Sequence, residues 1–245
     1  MRFHLLIPLL SFFSSTSLLA QIVPLRSSLS EEQINQKRTQ YQEQLHQLEE
    51  FRVKQLNKYK AGPTSEKQKI LAEVKIRLEK ELTEHVFPAW YGTPWDFSGT
   101  SNEPGKGKIA CGYFVSTTLK HIGFKLNRYK LAQQASQRII TTFLKSSALD
   151  ISSQRSLADV KKKLMASGNG IYIVGLDSHV GYIVVQDEKI TFVHSSYYSP
   201  DRQVVAEPYD SKNPLSDSKY RVSGKLFDDE MLINWLYAKP YTVAQ

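Results

Sequence analysis

"IYIVGLDSHVGYIVVQDEKITFVHSS", residues 171–196, sets the texture of the carboxy-terminal half of this chain. Three runs rich in Val, Ile, Tyr and Phe, over 171–176, 179–185 and 189–196, read as strands. The "QDE" between the last two is short enough for a tight hairpin. "RQVVAE" at 202–207 adds a strand-like run, and "FDDEMLINWLYA" at 227–238 reads as a short terminal helix. Upstream the pattern is helical. "CGYFVSTTLKHIG", residues 111–123, puts Phe114, Val115, Leu119 and Ile122 on one face and closes on Gly123. "KLAQQASQRIITTFL" (130–144) and "SLADVKKKLMAS" (156–167) are two further helices. Helices followed by a sheet predict an α+β domain over residues 87–245.

Residues 21–86 read differently. The stretch 28–60 contains neither Gly nor Pro, and Ser30 with Gln33 can form a capping box. Ile34, Tyr41, Leu45, Leu48, Val53 and Leu56 form a loose apolar stripe, and "AGP" at 61–63 ends the helix. A second helix from Thr64 or Ser65 carries Ile70, Leu71, Val74, Leu78 and Leu82 on one face. This is a helical arm or hairpin. The second helix, with the better stripe, is expected to dock on the domain, and the first to fold back on it or meet a partner. Removing residues 21–60 is accordingly expected to leave a folded domain.

The first twenty residues, "MRFHLLIPLLSFFSSTSLLA", have the layout of a secretory signal: Arg2, an apolar run, then small residues, with cleavage expected after Ala20. The mature protein is expected to be secreted or periplasmic. No later stretch is apolar for long enough to predict a transmembrane segment. The formal net charge is +8, one unit lower without Arg2, and favours anionic partners such as cell-wall polymers or lipid head groups. No recognisable module or dense basic run points to nucleic acid.

The chain has one cysteine, Cys111, where the loop "PGKGKIA" meets the start of a helix. A thiol there is either a small buried hydrophobe or a nucleophile. The helix amino terminus, with Lys106 and Lys108 in the preceding loop, favours the thiolate. A cysteine nucleophile needs a base within hydrogen-bond reach and a third group to orient that base. His179 and His194 lie on adjacent predicted strands, so the hairpin brings their rings side by side. Of the others, His121 near a helix end suits the dipole there, His46 sits on the arm, and His85 precedes an aromatic, Pro- and Gly-rich loop at 85–107. No HExxH motif or cysteine pair marks a familiar metal site, and no cofactor is expected.

"YGTPWDFSGTS…IACGYFVSTTLKHIGFKL" followed by "SHVGYIVVQDEKITFVHSSY" resembles the NlpC-type cell-wall cysteine peptidases, a papain-like group. Members show a "GTPY-x-W-G-G" loop, a "D-C-S-G-F-V" helix start, an "H-V-G-I-Y" strand and an "I-H-A" strand. The resemblance runs from about Tyr91 to Tyr197 and excludes the arm. It implies a papain-like fold, Cys111 as nucleophile, His179 as general base, His194 as its orienting residue, and peptidoglycan peptide as substrate. Ala110 stands where the family has Asp, Gly112 where it has Ser, and Trp95, beside Asp96, where it has Tyr. In the family these polar positions hold the free amine of a short peptidoglycan stem. The resemblance therefore carries over the catalytic trio and not the γ-D-glutamyl dipeptidase specificity. Trp95, Asp96 and Ser178 are the expected substrate-binding positions. Two other readings stay open: an amidase or acyltransferase acting on a non-wall amide, and a non-catalytic envelope-binding protein with the arm as its working part.

Overall fold

The computed structural model describes residues 23–200 and 202–243. The expected signal over residues 1–20 lies outside them. Helix α1 (Glu31–Ala61) opens with the anticipated capping box: the Ser30 hydroxyl accepts from the Gln33 backbone N–H, and the Gln33 side chain accepts from that of Ser30. Helix α2 (Thr64–Lys80) runs without a break through a π-helical turn (Glu81–Val86) into a last helical turn, Phe87–Trp90. The boundary expected between residues 86 and 87 thus falls inside continuous helix. Helix α3 is Cys111–His121, and three short helices follow: α4 (Arg128–Ala132), α5 (Ser136–Thr141) and α6 (Leu157–Ala166). A carboxy-terminal helix, α7, spans Asp229–Leu236.

The strands are β1 (Leu149–Ser153), β2 (Gly170–Leu176), β3 (Val180–Gln186), β4 (Lys189–Ser195), β5 (Val204–Pro208) and β6 (Tyr220–Lys225). They form one six-stranded sheet in the order β1-β6-β2-β3-β4-β5, antiparallel throughout. The architecture is α+β. The β3–β4 hairpin pairs Gln186 with Lys189, leaving Asp187 and Glu188 as a two-residue turn. Both turn residues have positive φ, 46° and 67°, which matches the twist of the flanking strands. Strands β2 to β4 are near-continuous apolar runs because both faces of the sheet are covered. On one face Ile171, Ile173, Tyr182, Val184 and Val193 pack with α2 and α3 residues. On the other, Tyr172, Val174, Ile183, Val185 and Phe192 meet Val160 and Leu164 of α6.

The first helix is part of this core. Ile34, Tyr41 and Leu48 recur every seven residues, so they share one line on α1, and all three are buried in the cluster that holds Trp90, Phe114 and Tyr182. At its centre the Tyr41 hydroxyl accepts from the Trp90 indole N–H at 2.9 Å and lies 2.9 Å from His121 Nδ1. The His121 Nε2 side faces the Asn102 carbonyl oxygen, so Nε2 carries the proton and Nδ1 accepts from Tyr41. Burial drops His121 to about 4. The ring is neutral, so the expected charge–dipole role at the end of α3 is replaced by this buried contact. Arg38 donates to the carbonyls of Ala89 and Tyr91, and Arg52 donates to that of Leu236. The expectation that residues 21–60 can be removed is therefore corrected: α1 covers the hydrophobic segment that leads into the loop before Cys111.

Tyr41→Phe strands the Trp90 N–H and the His121 acceptor in an apolar core. Denaturant unfolding should show a loss of about 1–3 kcal/mol, with the midpoint lowered and the slope unchanged.

Candidate functional site

The loop before Cys111 is held by its own backbone. Ile109 N–H donates to Pro94 O, Ala110 N–H to Gly99 O and Ser101 N–H to Lys108 O, each at 2.9 Å. The Arg128 guanidinium donates to the carbonyls of Thr100 and Ser101 and to the Thr117 hydroxyl, so the loop is tied to α3 and α4 at once. The buried Ser195 hydroxyl donates to the Ile109 carbonyl at 2.7 Å. That bond pins strand β4, next to His194, to the chain two residues before Cys111.

Ala110 is the N-cap of α3 and has no side-chain oxygen to give the helix start. The first N–H groups are therefore free for another acceptor. Those of Cys111 and Gly112, with that of Val180 from β3, favour a negative sulfur at Cys111. Burial acts more strongly and pushes the thiol up from its ordinary value. Lys106 and Lys108 do not offset this, because they are spent on Glu103 at 2.7 Å and Asp96 at 3.1 Å. The expected help from the two lysines is corrected: they neutralise loop carboxylates instead of approaching the sulfur.

Packing requires glycine at position 112. A Cβ there would stand 2.4 Å from the Ala132 carbonyl oxygen, so the end of α4 packs directly on the backbone of α3. Gly181 plays a similar part opposite: a Cβ would stand 2.9 Å from the Cβ of His194 and 2.8 Å from the Phe192 ring. Only a residue without a side chain leaves room for His194 on that face.

His179 is 2% exposed and His194 is fully buried. His179 Nε2 lies 2.8 Å from His194 Nδ1, with the two rings perpendicular. His194 stacks on Phe192 with centroids 4.0 Å apart, and its Nε2 lies 2.9 Å from Glu207 Oε1 on β5. Tyr197 closes over His179 edge-on at 5.2 Å. Burial holds both imidazoles neutral, His179 far below its ordinary value and His194 at about 3. Burial also raises the Glu207 carboxyl to about 7, partly opposed by a hydrogen bond from Asn213. His179 Nδ1 is buried and has no hydrogen-bond partner. His179 shares with Cys111 a cleft of about 270 Å3, lined also by Gly112, Gln134, Ser136 and Ser178.

Of the positions expected from the sequence, Cys111, His179 and Ser178 meet at this cleft, and His194 stands directly behind His179. Trp95 is one ring removed. It packs on Tyr197 at 5.8 Å, beneath the Arg202 guanidinium, and Tyr197 in turn touches His179. Asp96 is turned into its own loop, where it accepts from the Ser98 N–H and hydroxyl and from Lys108. Those donors lower its carboxyl to about 2, and it lines a separate depression over residues 96–108. Glu207 and Tyr197 were not singled out from the sequence. The one sequence signal for Glu207 is a carboxylate interrupting the apolar run "RQVVAE".

No family model, curated protein or solved structure matches the chain.

Gly112→Ser should force α3 and α4 apart. The expected outcome is a loss of about 1–3 kcal/mol in denaturant unfolding, with no gain in Cys111 reactivity toward iodoacetamide.

Proposed function

We propose that the chain is an exported cysteine hydrolase of the papain-like, NlpC type, cleaving an amide bond in peptidoglycan peptides through Cys111, His179 and His194. The observation that carries the reading is the state of the His179 ring. One nitrogen is committed to His194; the other is buried and unpartnered, and the residue shares a cleft with Cys111. A neutral imidazole in that setting is a base waiting for a proton.

In the proposed reaction Sγ attacks the carbonyl carbon while its proton passes to His179 Nδ1. The N–H groups at the start of α3, that of Cys111 first, face the developing oxyanion. His179 then returns the proton to the leaving amine as the C–N bond breaks, leaving an acyl-thioester. Water attacks the thioester with His179 again taking a proton, and the acid product leaves as the thiol is restored. His194 keeps the base in one orientation throughout. Because both Cys111 and His179 are neutral at rest, proton transfer accompanies attack instead of preceding it.

Export is supported by the signal-like segment 1–20 and by the charge, while no helix among the described residues is long and apolar enough to cross a membrane. The same trio would serve an amidase or acyltransferase on another amide. A non-catalytic envelope-binding role fits less well, because the arm it relies on has its apolar line spent on the core.

Mature protein incubated with purified peptidoglycan should release fragments whose masses correspond to hydrolysis of one amide type, and Cys111→Ala should release none. Identical products from both proteins, or none from either, would remove the peptidoglycan hydrolase reading.

The two histidines should separate by role. His179→Ala should lose about 10³-fold or more in kcat/KM, whereas His194→Asn, whose amide still accepts from the imidazole, should keep a measurable fraction. Wild-type rates in both variants would rule out the trio.

A further inference from the structure

Resting on the hydrolase reading above, we propose that Glu207 is a positioning residue of this site: acting through His194, its carboxylate selects the His179 tautomer that leaves Nδ1 free to take the Cys111 proton. The argument is one of proton counting. Both nitrogens of His194 are engaged, Nδ1 with His179 Nε2 at 2.8 Å and Nε2 with Glu207 Oε1 at 2.9 Å. A neutral imidazole has one N–H and one lone pair. An ionised carboxylate only accepts, so His194 places its proton on Nε2 and presents a lone pair at Nδ1. His179 must then donate from Nε2, and its own lone pair falls on Nδ1. That is the atom left buried and unpartnered, in a residue that lines the same cleft as Cys111.

A protonated Glu207 reverses every bond. It donates to His194 Nε2, His194 donates from Nδ1 to His179 Nε2, and His179 Nδ1 carries the hydrogen. The base is then blocked without any atom leaving its place. No net charge moves in the reversal apart from the one proton on Glu207.

The surroundings isolate this carboxyl. Glu207 pairs in register with Phe192 while His194 pairs with Val205, so Glu207 reaches His194 diagonally across the β4–β5 ladder. From β4 the titratable group facing it is His194, and β3 contributes Gly181 beside that ring. From the turn before the short helix Pro214–Asp217 comes the neutral Asn213 amide, which donates to the Pro208 carbonyl at 3.3 Å and partly opposes the rise of the carboxyl. The charges flanking Asn213, Lys212 and Asp217, are paired with each other at 2.7 Å, and Tyr198 donates to Asp217 at 2.8 Å. Among the described residues no charged side chain is paired with Glu207: the His194 ring at 2.9 Å is neutral, so that contact is a hydrogen bond. Burial raises Glu207 to about 7, so the competent tautomer is populated above that pH and lost below it. His179 itself titrates far lower, so its own protonation does not produce a limb near neutrality.

The test reads Cys111 directly and needs no substrate. The rate of iodoacetamide alkylation is followed against pH, from about 5 to about 9, in the full mature chain, in Glu207→Gln and in Glu207→Leu. The wild type should show an inflection at about 7. Glu207→Gln, nearly isosteric and without a proton to gain, should lose that inflection. Glu207→Leu should be slower by about 10-fold or more at neutral pH. Nitrogen chemical shifts of the His179 ring should report the Nε2–H tautomer above the inflection and the Nδ1–H tautomer below it. Should Glu207→Leu not fold, Glu207→Gln and the ring shifts carry the test. An unchanged inflection in Glu207→Gln would overturn the inference, even with peptide cleavage intact. Absence of peptidoglycan cleavage, with the inflection still responding to residue 207, would remove the substrate assignment and leave the relay standing.

Discussion

One buried hydrogen bond, from the Ser195 hydroxyl to the Ile109 carbonyl, joins the two halves of the site. On one side of it the chain enters α3 and reaches Cys111; on the other, β4 presents His194 on the opposite face of the strand. That bond ties the chain just before Cys111 to the strand that carries His194. The close approaches at Gly112 and Gly181 belong to the same constraint, since each removes a side chain where two elements must nearly touch.

The electrostatics follow from burial. Removing two imidazoles from water makes their charged forms costly, so they remain neutral and satisfy each other. The same desolvation raises the thiol. The result is a site whose imidazoles carry no resting charge and are joined in a hydrogen-bond chain that runs from His179 through His194 to Glu207. Glu207 sits at the partly exposed end of that chain, where solvent protons have access.

The helical hairpin contributes at a distance. Tyr41 joins Trp90 and His121, and Arg38 holds the carbonyls of Ala89 and Tyr91, immediately before the loop that leads to Cys111. The α1 helix is thus a brace for the entry to the site. Its stripe looks weak in sequence because one of its three deepest residues is a tyrosine, whose hydroxyl is useful only once a tryptophan and a histidine from elsewhere surround it.

The sequence alone determined the elements that arise from local pattern. The β3–β4 hairpin came from apolar runs around "QDE", the helix start at Cys111 from the Gly-rich loop before it, and the adjacency of His179 and His194 from the shortness of that hairpin. These depend on neighbours a few residues away, and periodicity records them. Tertiary structure decided the rest. Glu207 belongs to the site only through the β4–β5 register, set across a connection with no period of its own. Asp96 left the cleft because Ser98 and Lys108 offered nearer donors, and Ala132, brought in by α4, made glycine necessary at position 112. The protonation states were equally out of reach of the sequence, because they follow from how much water the finished packing excludes.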